Sequence, residues 1–180
     1  NKYEFFDILK FAVEFDGPLA IRYPRGEAFS GLKNFRSSIK YGKSEVLYSG
    51  SRVAVLAVGS MVETAESVRA ILEASGIYPT VVNVRFVKPM DTEMIRTMAS
   101  THELVVTLEE NVLRGGFGEG VEALLGQLSC NEPDLSVARV LTVGIPNVYV
   151  EHGNVDLLKE TIGLDSVTIA ERIMKELEKL

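Results

Sequence analysis

The sequence predicts an α/β domain of three layers on a mostly parallel sheet, preceded by a helix and a strand that belong to another folding unit. Two observations carry the domain. From about residue 50 onward, short Val- and Leu-rich runs alternate with amphipathic stretches of roughly ten or more residues. The runs are apolar at consecutive positions, as strands covered on both faces must be. A third observation separates the start of the chain. Residues 1–52 carry nine Lys/Arg against six Asp/Glu, whereas residues 53–180 carry ten against nineteen.

Taken in order, Phe5, Ile8, Leu9, Ala12 and Val13 recur at helical spacing, predicting a helix over 3–15 that Asp16-Gly17-Pro18 stops. Leu19 to Tyr23 reads as a short strand ended by Pro24, which cannot donate to a ladder. Residues 25–38 carry Gly26, Gly31 and Asn34 with little periodicity and read as a connection. Ile39 to Tyr48 reads as a strand or hairpin arm. Val53–Val58 is a buried strand. Met61 to Ser75 is a helix with Ser60 and Glu63 at capping-box spacing and Gly76 at its end. Thr80–Val84, Leu104–Leu108 and Val137–Val143 are strands. Asp91 caps a helix through about Ala99, Gly116–Leu128 is a helix, and Val155–Ile162 and Val167–Leu180 close the chain. A lone helix and strand cannot bury a core. Residues 1–38 are therefore expected to finish a domain whose other elements lie elsewhere, and residues 39–180 to form one α/β domain. The chain starts Asn-Lys-Tyr without Met, so a processed or excised piece is expected.

Composition narrows the function. Net charge is −6, which argues against nucleic acid. The longest apolar run, Val53 to Val58, is far too short to cross a bilayer. A single cysteine, Cys130, allows neither an internal disulfide nor a cysteine metal cage, and fits a reducing, cytoplasmic compartment. With no basic neighbour it reads as a packing residue.

Three places could carry chemistry. Arg22-Tyr23-Pro24-Arg25-Gly26 follows a strand end, where open α/β sheets bind ligands, and an arginine fork suits phosphate. From pattern alone, surface ion pairs are the commoner role for such arginines. Alternation sends Arg22 and Tyr23 to opposite faces. The run from Gly115 to Gly120 precedes a helix. The dinucleotide fingerprint fails there because Val121 stands where glycine is needed, which leaves close packing of helix on strand. Glu109-Glu110-Asn111 could serve acid–base work or Mg²⁺, but no third ligand is apparent, so hydrogen bonds to nearby loop amides are the expected role. His102 follows a helix, where a cation would be favoured. Met90, Met94 and Met98 fall at helical spacing and read as core.

These residues together resemble a known family. Gly17-Pro18-Leu19-Ala20-Ile21-Arg22-Tyr23-Pro24-Arg25-Gly26 resembles the end of the pyrimidine-binding domain of 1-deoxy-D-xylulose 5-phosphate synthases. Arg85-Phe86-Val87-Lys88-Pro89-Met90-Asp91, Thr107-Leu108-Glu109-Glu110-Asn111, Gly115-Gly116-Phe117-Gly118, Gly144-Ile145-Pro146, Glu151-His152-Gly153 and Gly163-Leu164-Asp165 follow in that family's order, in a transketolase C-terminal-type domain. The resemblance implies a homodimeric transferase that condenses pyruvate with glyceraldehyde 3-phosphate and releases CO₂, with thiamine diphosphate and Mg²⁺ as cofactors. It implies that Arg25 holds the phosphate of glyceraldehyde 3-phosphate, while Arg22 supports the strand or an ion pair. The family's Gly-Asp-Gly cofactor motif and activating glutamate are absent. This chain is therefore expected to bind no cofactor alone, to be inactive alone, and to pack against the missing N-terminal and pyrimidine-binding domains. Two other readings stand beside it: a non-catalytic interaction module that binds its own kind or a partner protein, and the C-terminal part of a transketolase or a 2-oxo-acid dehydrogenase β subunit.

Overall fold

A computed structural model describes residues 1–24 and 26–180. The elements are α1 (Lys2–Glu14), β1 (Glu45–Tyr48), β2 (Val53–Ala57), α2 (Met61–Ala74), β3 (Thr80–Asn83), α3 (Thr92–Thr101), β4 (Leu104–Val112), α4 (Phe117–Asn131), β5 (Arg139–Ile145), α5 (Val155–Ile162) and α6 (Ser166–Leu177). The strands form one sheet in the order β1-β3-β2-β4-β5. β3, β2, β4 and β5 are mutually parallel, and only β1 runs antiparallel, along the free side of β3.

Strand alternation divides the core into two slabs. Val53, Val55 and Ala57 of β2 face one side with Val81, Leu104, Val106 and Leu108, against α2 and α6 through Val68, Leu72, Ile169 and Ile173. Ala54 and Leu56 face the other side with Val82 and Val105, against Ile95 and Met98 of α3 and Phe117, Val121 and Leu125 of α4. Both sheet faces are thus covered by helices, which is why the inner strands tolerate no polar alternation. Met98 is buried and Met90 and Met94 pack at the margin of the second slab, as their spacing predicts.

Asp91 caps α3 as expected: its carboxylate accepts from Met94 N at 3.3 Å, and also from Ser44 N at 2.8 Å. Other expectations fail for physical reasons. Leu19–Tyr23 is not a strand, because no neighbouring strand is present to pair its backbone groups. The element expected over Ile39–Tyr48 shrinks to Glu45–Tyr48 and is no hairpin arm of β2, since β3 lies between them. Ser60 makes no capping bond, because its hydroxyl is drawn across to the end of β4. Cys130 lies exposed on the solvent side of α4 rather than packed.

Helix α1 begins at Asn1, whose side chain accepts from Tyr3 N and Glu4 N at 2.9 Å each. None of its residues is fully buried. It is held through Glu4 on Arg85, Asp7 on Arg36 and Phe11 on Phe86, while Phe5, Ile8 and Ala12 of the predicted apolar face are only half-buried. Leu9 and Val13 of that face, with Phe6, stay exposed.

Candidate functional site at the carboxyl edge of the sheet

In an open doubly wound sheet, ligand crevices form where strand order reverses, beyond the carboxyl ends of the strands. Here β2 is followed in space by β3 on one side and β4 on the other, so the reversal lies between β2 and β4. The carboxyl ends there carry Ser60 after β2 and Glu109-Glu110 on β4.

β4 bulges at this point. Leu108 pairs with Val143 and Val112 with Ile145, so four steps along β4 match two along β5. Glu109, Glu110 and Asn111 consequently have no register partner on β2 or β5. Bulges of this kind free backbone groups and re-aim side chains. The Glu110 carbonyl accepts from Arg22 Nη2 at 2.7 Å. Its carboxylate accepts from Ser60 Oγ at 2.5 Å and lies 3.7 Å from Lys159 Nζ of α5. Tyr23 turns the opposite way and stacks on Phe5 of α1, with centroids 5.1 Å apart. The predicted divergence of Arg22 and Tyr23 therefore holds without a strand. Arg22, expected to support the strand or an ion pair, makes this contact to the main chain of β4. Arg25, the predicted phosphate ligand, lies outside the described residues.

Glu109 points inward and is buried. Its two oxygens accept from Phe117 N and Gly118 N, each at 2.8 Å, closing the N-terminus of α4. A carboxylate suits the positive end of a helix. The glycines make this approach possible. A Cβ at Gly116 would lie 2.6 Å from both Glu109 oxygens, and one at Gly118 would lie 2.7 Å from Thr107 Oγ1. The glycine run thus serves close packing, and the helix terminus has its own internal anion. Among the described residues, no group of three His, Cys, Asp or Glu is arranged to hold a metal ion.

The end of β3 carries a cluster that pattern reading missed. Arg85 turns out of the strand with a left-handed φ of 55°, a costly conformation for a side-chain-bearing residue. Its buried guanidinium donates from Nε to Glu4 Oε1 at 2.6 Å, from Nη2 to Glu45 Oε2 at 2.5 Å and from Nη1 to Ser37 Oγ at 3.0 Å. Asn83 Nδ2 donates to the same Glu4 oxygen at 2.7 Å. Beside it, Phe86 packs edge-on to Phe11 of α1 and to Tyr41. Arg36 grips Asp7 with two hydrogen bonds, and that bonding holds the Asp7 carboxyl below its usual range. The sequence signal was an arginine directly after a predicted strand, two residues past the end of β3. Its partners, at positions 4 and 45, converge on it only in three dimensions.

His102 lies apart from this edge. His102 ends α3 near the amino end of β3, where Nε2 is 2.8 Å from Thr80 Oγ1 and Nδ1 is 3.1 Å from Met98 O. Thr80 Oγ1 already accepts from Gly50 N. Its hydroxyl hydrogen is therefore free to donate to an unprotonated Nε2. Burial lowers the His102 pKa, and the hydrogen bond to Met98 O only partly opposes it, so desolvation defeats the expected helix-end cation. The sign follows. As pH falls through the ordinary histidine range, the unfolded chain takes up a proton before the folded one does, and stability declines until the lowered folded value is passed. The urea midpoint of the wild type is expected to drop between about pH 7 and pH 5, and less steeply in His102→Gln. Parallel pH profiles for the two would refute this assignment.

The fold and this edge define an α/β module of the doubly wound class, in which an N-terminal helix and extended segment lie across the carboxyl ends of the strands. The family model for the transketolase C-terminal domain matches residues 42–169, and the chain belongs to that family. Curated relatives named 1-deoxy-D-xylulose-5-phosphate synthase match nearly end to end. The one from Lachnoclostridium phytofermentans is 46% identical over 98% of this chain, and the one from Dictyoglomus turgidum is 41% identical over 97%. The chain spans 27% of the length of each. Among solved structures, a split-gene transketolase described as an inactive beta4 tetramer superposes with a TM-score of 0.76 at 31% identity, covering 94% of this chain and 53% of that one. Transketolase from Campylobacter jejuni shares the fold, with a TM-score of 0.53 at 15% identity over 74% of this chain and 18% of its own.

Proposed function

We propose that this chain is the C-terminal portion of a 1-deoxy-D-xylulose 5-phosphate synthase. In this reading residues 1–38 end the pyrimidine-binding domain and its linker, and residues 39–180 form the transketolase C-terminal domain. The observation that carries it is the near-complete alignment, at 40–46% identity, to several relatives of that one name. The whole enzyme joins a two-carbon unit from pyruvate to glyceraldehyde 3-phosphate with loss of CO₂, supplying precursors of isoprenoids, thiamine and pyridoxal.

In the complete enzyme, thiamine diphosphate with Mg²⁺ supplies the electron sink for decarboxylation and carbon–carbon bond formation. The residues of this chain do not fit that cofactor. The glycine-rich N-terminus of α4 already has the Glu109 carboxylate on it, so a diphosphate there would meet a like charge instead of free donors. The chemistry of this chain is then limited to the acceptor substrate. Arg25 would hold the phosphate of glyceraldehyde 3-phosphate with its planar fork. Exposed apolar side chains offer docking area for the other domains and for a second subunit of a homodimer: Phe6, Leu9 and Val13 on α1, and Val148, Tyr149 and Leu157 around the start of α5. The tetramer in the description of the split-gene relative supports self-association of this part of the fold. No helix among the described residues is long and apolar enough to cross a membrane. A cytoplasmic enzyme acting on small phosphorylated metabolites is the reading adopted.

The test has two arms. In the full-length protein, Arg25→Ala is expected to raise the KM for glyceraldehyde 3-phosphate by roughly a hundredfold, the loss of a charge-assisted phosphate contact, and to leave the KM for pyruvate alone. Calorimetric titration of the 180-residue chain with thiamine diphosphate and Mg²⁺ is expected to give no binding heat. An unchanged acceptor KM would remove Arg25 from its role, and tight cofactor binding would mean that this chain completes the cofactor site.

A further inference from the structure

Between Glu14 and Glu45 the described residues form no helix or strand, a long connection for a compact fold and a length more typical of segments with a task. Its middle is closely shaped. The Phe29 ring lies over Gly31, where a Cβ would come within 2.2 Å of it. Phe29 O accepts from Lys2 N of α1 at 2.9 Å. Leu32 takes a left-handed φ of 58°, costly for a side-chain-bearing residue, and its carbonyl accepts from Phe35 N at 3.0 Å. Phe35 then packs edge-on to Tyr48 of β1.

Between this loop, the first turn of α1, β1 and α2 lies an open cleft of about 600 Å³, a size that suits a small molecule. Its walls carry four aromatic rings, Tyr3, Phe29, Phe35 and Tyr48, and its charged residues are Lys2, Lys33 and Glu66. Glu66 Oε1 accepts from Tyr48 OH at 3.1 Å and from Arg69 Nη2 at 2.9 Å, but the buried Oε2 has no partner. An acceptor left unpaired in such a place calls for a donor. The lysines are also uncommitted beside their neighbours. Arg36 and Arg85 are spent on carboxylates, whereas Lys2 Nζ rests over the Tyr3 ring and Lys33 is exposed.

We propose that this cleft binds a small planar aromatic acid that also carries an N–H or O–H group. The rings receive its flat face, Lys2 and Lys33 its anion, and Glu66 Oε2 its donor. The inference is independent of the synthase reading and of Arg25. The cleft joins α1 and the connection to β1 and α2, so a bound ligand fastens α1 to the sheet domain by mass action.

The probe is anilinonaphthalene sulfonate, which combines aromatic rings, an anion and a secondary N–H. Fluorescence titration of the full-length protein is expected to show a saturable site with a Kd on the order of 10 μM. Lys33→Glu should weaken that site roughly tenfold, and Lys33→Arg should leave it within about threefold of wild type. Because Lys33 is exposed, neither change threatens the fold, and circular dichroism should be unaltered. Glu66→Gln should weaken binding roughly threefold, since it replaces one acceptor oxygen. Leu157→Glu, in the exposed apolar surface of α5, should leave it as it was. At saturation, peptides covering residues 2–6 and 29–35 should exchange hydrogen about threefold more slowly in the wild type but not in Lys33→Glu. Absence of a saturable site, equal affinity of wild type and Lys33→Glu, or loss of binding in Leu157→Glu would overturn the proposal. So would binding that leaves exchange in both segments unaltered. Wild-type affinity in Glu66→Gln would refute the ligand class, because the donor would then have no role.

Discussion

Arg85→Ala is expected to destabilise the chain by about 3–5 kcal/mol, the largest effect of any single substitution considered. The guanidinium is buried and bonds two carboxylates and a hydroxyl from three separate parts of the chain. Removing it takes the guanidinium from both Glu4 and Glu45, and Glu45 lies in a buried position at the edge of the sheet. The cost of stranding buried charge greatly exceeds the net worth of the pairs themselves, which would be small in water. Arg85→Lys should recover little, because one ammonium on a flexible stem cannot span the three acceptors that a planar fork reaches. The loss should also be local first. Helix α1 buries no residue completely and is tied to the domain chiefly through Arg85, Arg36 and the Phe11–Phe86 contact, so it should detach before the sheet melts. Urea denaturation read by far-ultraviolet circular dichroism, with hydrogen exchange on α1, measures both effects. A shift below about 0.5 kcal/mol would place Arg85 among ordinary surface residues and refute its role as the hub of the junction.

Glu109→Ala comes second, with an expected loss of about 3 kcal/mol, taken as roughly 1.5 kcal/mol for each of two charge-assisted bonds to main-chain amides. The amides of Phe117 and Gly118 are at the start of α4, and Phe117 itself is buried. Water cannot easily replace the carboxylate there, because the glycines have brought helix and strand into contact. Glu109→Gln is the informative control. It keeps the shape but turns one acceptor into a donor facing an N–H group, so most of the loss should persist. Equal stability of the Gln variant and the wild type would show that shape, not charge, closes this helix. Because α4 packs on the far slab from α6, the damage should appear in the contacts of Val121 and Leu125 and spare those of Ile169 and Ile173.

These two residues mark the division between what pattern could and could not disclose. The three-layer domain was legible because strands buried on both faces must be continuously apolar, as Val53 to Val58 are, and because helices between them must show one apolar stripe, as Val68 and Leu72 of α2 do. Local chemistry was legible for the same reason. Asp91 needs only its own next turn to act as a cap, and the failed dinucleotide motif already left the glycines to packing. Ser60 shows the limit, since its spacing to Glu63 satisfied a capping rule while its hydroxyl found a stronger acceptor fifty residues away at Glu110. Leu19 to Tyr23 shows it again: an extended, apolar stretch becomes a strand only when another strand supplies its hydrogen bonds.

By itself, then, the sequence determined the layered α/β domain, its order of elements and its family, because each depends on periodicities and motifs that are local in the chain. The tertiary structure alone decided which side chains meet at the carboxyl edge. Glu4, Glu45 and Arg85 converge there, Arg22 reaches the bulge at Glu110, and Glu109 turns inward to α4. Those contacts join residues up to 88 positions apart. Their partners are chosen by burial and by the competition among charged groups for the few sites where each can be satisfied, which no local pattern encodes.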